Sequence, residues 1–173
     1  SAASDVYKRQ AKQYFELFGL EVKEEGDTLG LYCFGDDHRW VVINQGSPKK
    51  LTGASFACFE DDFDRFQSHL SEQGIKFECD GKVISFADPL GLPLEISVGE
   101  RSANSELAAI NADGGSDVKR AARLRSECPK TQPNRLSHLA MFTGPLDDSL
   151  AFYQKALGLR LSDRSLDIVA FLH

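Results

Sequence analysis

One of the four histidines sits in a pattern that could do chemistry. His138 lies in Leu136-Ser-His-Leu-Ala-Met-Phe142, an alternating run that predicts a strand over 135–143 with His138, Leu136, Ala140 and Phe142 on one face. A neutral imidazole there could ligate a metal or move a proton, although a lone strand histidine is ordinarily structural. Glu95 is the second candidate, at the end of Phe86-Ala-Asp-Pro-Leu-Gly-Leu-Pro-Leu-Glu95. There Pro89 fixes φ and Gly91 accepts a positive one, so the segment predicts a tight hairpin leading into a strand. His38 in a turn and His69 beside a helix stripe read as solvated. His173 ends an apolar run, Ile168-Val-Ala-Phe-Leu172. Cys33, Cys58, Cys79 and Cys128 show no CxxC spacing and read as buried thiols of a reducing cytoplasm.

The elements that must position these residues repeat along the chain. Tyr14-Phe-Glu-Leu-Phe-Gly-Leu-Glu-Val22 matches Tyr153-Gln-Lys-Ala-Leu-Gly-Leu-Arg-Leu161, and Gly19, Gly74 and Gly158 each close a helical pattern. Periodicity predicts a helix over 11–18, strands over 29–34, 40–44 and 54–59, and a helix over 61–73 with Phe63, Phe66 and Leu70 inward. Strands near 75–79, 82–87 and 93–98 follow. After 135–143 come a helix over 147–157, N-capped by Asp147 or Asp148, and strands over 159–163 and 166–173. Its buried stripe is Leu146, Leu150, Tyr153 and Leu157. Three copies of strand–helix–Gly–strands are thus legible, the first without its opening strand and the third without its last.

Composition narrows the function classes. The chain has 173 residues, 42% of them hydrophobic, with a net charge of −6, so nothing general draws it to nucleic acid or an anionic membrane. Residues 99–134 are small and polar and read as a linker with some helix; within 117–135 six Lys/Arg stand against two Asp/Glu, a local +4. That run is short and lacks interleaved aromatics, which disfavours a nucleic-acid arm. Asp5-Val-Tyr-Lys-Arg-Gln10 resembles the translation of a sequencing-library adapter end, so residues 1–10 are expected to be non-native; resequencing the source gene tests this. The apolar run reaching His173 predicts an unfinished strand that pairs with another chain.

With these units placed, the chain resembles the vicinal oxygen chelate superfamily of glyoxalases, bleomycin-resistance proteins and type I extradiol dioxygenases. Three features carry the resemblance: Leu136-Ser-His-Leu with Leu150-Ala-Phe-Tyr and Leu157-Gly-Leu, the Asp88-Pro-Leu-Gly hairpin before Glu95, and the glycine-closed helices. It implies an α+β fold of paired βαβββ modules: 1–98 as an N-terminal domain of two modules, 99–134 as linker, and 135–173 as the start of a catalytic domain. The arrangement is most similar to the extradiol ring-cleavage dioxygenases, whose C-terminal domain holds one non-haem Fe(II), in some members Mn(II). Residue by residue the resemblance assigns one metal ligand here, His138; the other histidine, the glutamate and the acid–base histidine are expected beyond His173. It implies a homo-oligomeric cytoplasmic enzyme acting on a catechol-type aromatic diol with O2. A facial triad leaves open positions for both diol oxygens and dioxygen. Ser55 stands where the second module's own histidine would be, so Glu95 reads as the remnant of a retired site. A glyoxalase-like metal-dependent isomerase or lyase, and a metal-free module that sequesters a planar ligand, are the alternatives. The 173-residue chain alone is expected to be inactive or very weak.

Overall fold

The computed structural model describes residues 2–46, 48–100 and 132–173. Most of the expected linker, 101–131 with Cys128, lies outside the described residues. Those described fall into two compact units, one gathering 2–46 with 132–139 and the other 48–100 with 140–173.

The first unit carries the first repeat. Helix α1 (Ala2–Phe18) starts well before the expected residue 11 and is followed by β1 (Glu21–Glu25), β2 (Thr28–Tyr32) and β3 (Arg39–Ile43), an antiparallel sheet in that order. The longer helix is tied to the β1–β2 hairpin by lysines one turn apart. Lys12 pairs with Glu24 at 2.8 Å, and the Lys8 ammonium donates to the Gly26 carbonyl at 2.8 Å. Leu29 and Leu31 of β2 and Cys33 just after it are buried. Glu25 accepts from the Tyr32 hydroxyl at 2.5 Å and from Arg39 at 2.6 Å. These two donors hold its carboxyl below the usual range.

The second unit holds the one complete repeat: β4 (Ala54–Cys58), α2 (Glu60–Glu72), β5 (Glu78–Asp80), β6 (Val83–Ala87) and β7 (Pro93–Val98). The sheet order is β4-β7-β6-β5, with β4 parallel to β7 and the other pairs antiparallel. Parallel pairing of the first and last strands follows from α2 being the crossover between them and β5–β6. Alternation on β6 and β7 turns Ile84, Phe86, Leu94 and Ile96 into a core shared with Phe63 and Leu70 of α2. Gly74, at φ +67°, ends α2 in a conformation that a side chain would resist.

The third repeat supplies α3 (Leu146–Leu157), β8 (Leu161–Ser165) and β9 (Val169–Leu172). Tyr153 and Ala156 of α3 enter the same core, with Phe152, Leu157 and Leu172 packed against it. Two expectations fail here. The predicted strand 135–143 forms no ladder: 132–143 has no regular secondary structure. The second repeat explains why, since its opening strand β4 is hydrogen-bonded only to the closing strand β7. Among the described residues the third repeat has no counterpart of β7, so alternation alone leaves 135–143 without partners. Nor does Asp147 or Asp148 cap α3. The N-cap is Pro145, without a side-chain cap bond, and Asp147 in the first turn pairs with Arg164 at 2.6 Å.

Candidate functional site

Strands β4 and β7 bring together the two positions singled out in the second repeat. Ser55 and Glu95 are direct partners in the parallel register. The Ser55 hydroxyl donates to Glu95 Oε2 at 3.0 Å on an exposed face. Glu95 also lies opposite Ser85, which lies opposite Glu78, so one polar row crosses the sheet through Ser55, Glu95, Ser85 and Glu78. Residues in register on adjacent strands share a face, while Leu94 and Ile96 on either side of Glu95 turn into the core. A hydroxyl satisfies the carboxylate with a hydrogen bond but is a poor ligand for a divalent transition metal.

Asp88 shapes the hairpin before Glu95. Its Oδ1 accepts from the backbone N–H groups of Leu90 at 2.9 Å and Leu92 at 2.8 Å, and Gly91 turns the chain at φ +84°. Its Oδ2 accepts from the Tyr153 hydroxyl at 3.1 Å, a contact that joins the repeats. Tyr153 is 7% exposed, and burial, with the hydrogen bond and charge of Asp88, pushes its phenol up to about 12. The sequence marks both residues as motif members but carries no sign that they touch.

The remaining candidates do not converge. His138 lies in the exposed stretch 134–140. His69, expected to be solvated, has its Nε2 2.8 Å from the Lys155 carbonyl in the last turn of α3. An unpaired carbonyl at a helix end takes such a donor readily. His38 is exposed and packs edge-on against Trp40, ring centroids 4.6 Å apart. His173 extends the β8–β9 ladder, with Nδ1 2.5 Å from the Ser162 hydroxyl. Cys33 is buried, Cys58 half-buried and Cys79 exposed, so the expectation of buried thiols holds for Cys33 alone among these three. A groove of about 310 Å³ beside α2 is lined by Glu60, Asp64 and Lys82 among others, and contains none of the histidines, nor Ser55 or Glu95.

The third repeat is where family resemblance is strongest. Residues 135–172 match the family model of the Glyoxalase/Bleomycin resistance protein/Dioxygenase superfamily. The chain is 34% identical over 168 residues to metapyrocatechase 2 of Cupriavidus necator, covering 94% of this chain and 52% of that protein. The chain thus spans about half the length of this curated relative. Its fold is similar to a crystal structure of catechol 2,3-dioxygenase, with TM-score 0.59, 17% identity and coverage of 91% of this chain and 58% of that one. It is also similar to the E323L variant of homoprotocatechuate 2,3-dioxygenase from Brevibacterium fuscum, with TM-score 0.61, 20% identity and coverage of 94% and 45%. The mixed α and β architecture of repeated modules is the fold these enzymes share.

A metal site does not follow from these residues alone. Among the described residues no three His, Cys, Asp or Glu side chains gather as a metal-binding group. Ser55 bonds Glu95 with a hydroxyl rather than an imidazole, and a single histidine such as His138 is fewer than the three ligands that a facial triad needs.

Proposed function

We propose that this sequence is part of an extradiol dioxygenase that opens the ring of a catechol-type aromatic diol, adding both atoms of O2. The observation that carries the reading is the 34% identity to a metapyrocatechase along nearly the whole chain. The dioxygenase structures of similar fold favour it over a glyoxalase-like isomerase or a metal-free binding module. Relatives of this kind imply a metal cofactor, which we take to be Fe(II), with Mn(II) the alternative. His138 is the residue of this chain proposed to hold it, with the acid–base group and remaining ligands supplied from outside these 173 residues. The geometry of the second repeat supports such a scaffold. The opening strand and the closing-strand glutamate are cross-strand neighbours there, so a histidine in place of Ser55 would stand beside Glu95. The enzyme is read as a cytoplasmic homo-oligomer; no helix among the described residues is long and apolar enough to cross a membrane.

The test is a chimera in which this chain replaces the matching half of metapyrocatechase 2. It is expected to bind iron and cleave catechol, with His138→Ala abolishing both and Glu95→Gln leaving iron content unchanged. A folded, iron-loaded chimera whose activity survives His138→Ala would overturn the assignment. The 173-residue chain alone, loaded with Fe(II) without oxygen and then given catechol and air, is expected to form no ring-opened product.

A further inference from the structure

The stretch that carries His138 is seated at each end by a residue of another repeat. Five residues before His138, Pro133 lies against Gly19, the buried glycine that closes α1 at φ +100°. A Cβ on Gly19 would stand 3.2 Å from Pro133 Cδ and 3.6 Å from Gln132 Cα, so a bare backbone is what admits the proline ring this closely. Pro133 is half-buried there, whereas 132 and 134–145 are exposed. The seat is not common to such helix ends: at Gly74, which closes α2, nothing of the described chain comes within 4 Å of the same point. Six residues after His138, Gly144 lies against the tip of the Asp88 hairpin, where a Cβ would stand 3.1 Å from Leu90 Cδ2. That tip is fixed, because Asp88 Oδ1 accepts from the Leu90 N–H at 2.9 Å. Beside Gly144, the hydroxyls of Thr143 and the buried Ser149 of α3 share a hydrogen bond. The first contact lies within the first unit and the second within the second.

We propose that Pro133, seated on Gly19, and Leu90, seated on Gly144, are positioning residues that pin 133–144 at both ends and so present His138 near its middle. The first and second repeats thereby hold the segment on which the third carries its metal ligand. Pro133 suits the task because its ring fills the notch and its own φ is fixed. A ligand segment ordered beforehand loses little backbone freedom when an ion binds, so the ion is held more tightly than by a loose chain. The consequence for iron rests on the dioxygenase reading above; the seating of the segment does not.

Gly19 itself is a poor probe, since φ +100° resists every side chain, so the partners are varied instead. Pro133→Ala empties the notch, and Leu90→Ala withdraws the methyl groups from Gly144. Nitrogen-15 relaxation on the 173-residue chain is expected to show 136–140 ordered in the wild type. In either variant their order parameters should fall below about 0.6, while the helices stay near about 0.85. Adding Gly144→Val to Leu90→Ala returns apolar volume to the same place and is expected to restore the order. In the metapyrocatechase chimera, each single variant is expected to raise the Fe(II) dissociation constant about tenfold with Tm kept. Equal order parameters at 136–140 in the wild type and both variants would overturn the proposal. So would a Leu90→Ala effect that Gly144→Val leaves uncorrected, or an unchanged dissociation constant in a chimera that binds iron. A wild-type chimera that binds no iron would instead sink the dioxygenase reading, with the relaxation data still deciding the seating.

Discussion

Asp88 and Tyr153 show how one carboxylate can serve a turn and a core at once. Two backbone donors of the hairpin occupy Oδ1, and the buried phenol occupies Oδ2. Losing a hydrogen bond to a charged group costs about 1.5–3 kcal/mol. Tyr153→Phe is expected to destabilise the second unit by about that much, measured by urea denaturation. The pH dependence has a definite sign. The phenol titrates at 10.0 when unperturbed and at about 12 in the fold, so its contribution is complete below pH 10. It is lost as pH rises toward and through 12, because ionisation then favours the unfolded chain. The melting temperature should fall less steeply between pH 10 and 12 in Tyr153→Phe than in the wild type. Tyr14, its counterpart in the repeated motif, is 61% exposed. Tyr14→Phe should change stability by less than about 0.5 kcal/mol in the same measurement. The shared motif is plain in the sequence; the difference in burial is not, because it depends on what each helix packs against.

At the scale of elements, what is determined locally is legible in the sequence. Strand β7 matches its expected 93–98 limits, since Pro93 marks the start and Leu94 and Ile96 alternate with polar neighbours. Helix α2 keeps Phe63 and Leu70 buried as its period requires, and Phe66 half-buried. The losses are elements whose existence depends on a distant partner. The segment around His138 has a strand's alternation but pairs with no strand among the described residues. His69 reads as solvated from its own helix, yet a carbonyl of another helix receives it. Ser55 and Glu95, 40 residues apart, can be matched from sequence because the glycine-closed helices set a common frame for the repeats. The β8–β9 turn hides another feature: Leu166, 76% exposed, adopts φ +50°. A side chain in the left-handed region costs roughly 1–2 kcal/mol, and asparagine tolerates it better. Leu166→Asn is expected to stabilise the second unit by about 0.5–1 kcal/mol in urea denaturation. Arg164 would keep its bond to the residue-166 carbonyl, which belongs to the backbone.

Across the whole molecule, the described residues show a full βαβββ arrangement in the second repeat and shorter arrangements in the first and third. Both of these keep a helix followed by a hairpin, αβββ in the first and αββ in the third. A scaffold of this kind can fold around apolar strands without metal, because its core is built from Phe63, Leu70, Ile84, Leu94 and Ile96 rather than from ligands. Metal would add stability only by binding the folded state more tightly than the unfolded one. At a hundred times its Kd such an ion contributes about 2.7 kcal/mol, which for a protein of this size raises Tm by several degrees. No three ligating side chains meet among the described residues, and a single imidazole holds an ion weakly. Adding Fe(II) under anaerobic conditions, or stripping metal with EDTA, is therefore expected to move the Tm of the 173-residue chain by less than about 1 °C. His138→Ala should leave that insensitivity intact. A rise of several degrees with Fe(II), lost in His138→Ala, would instead mean that this chain completes a metal site by itself.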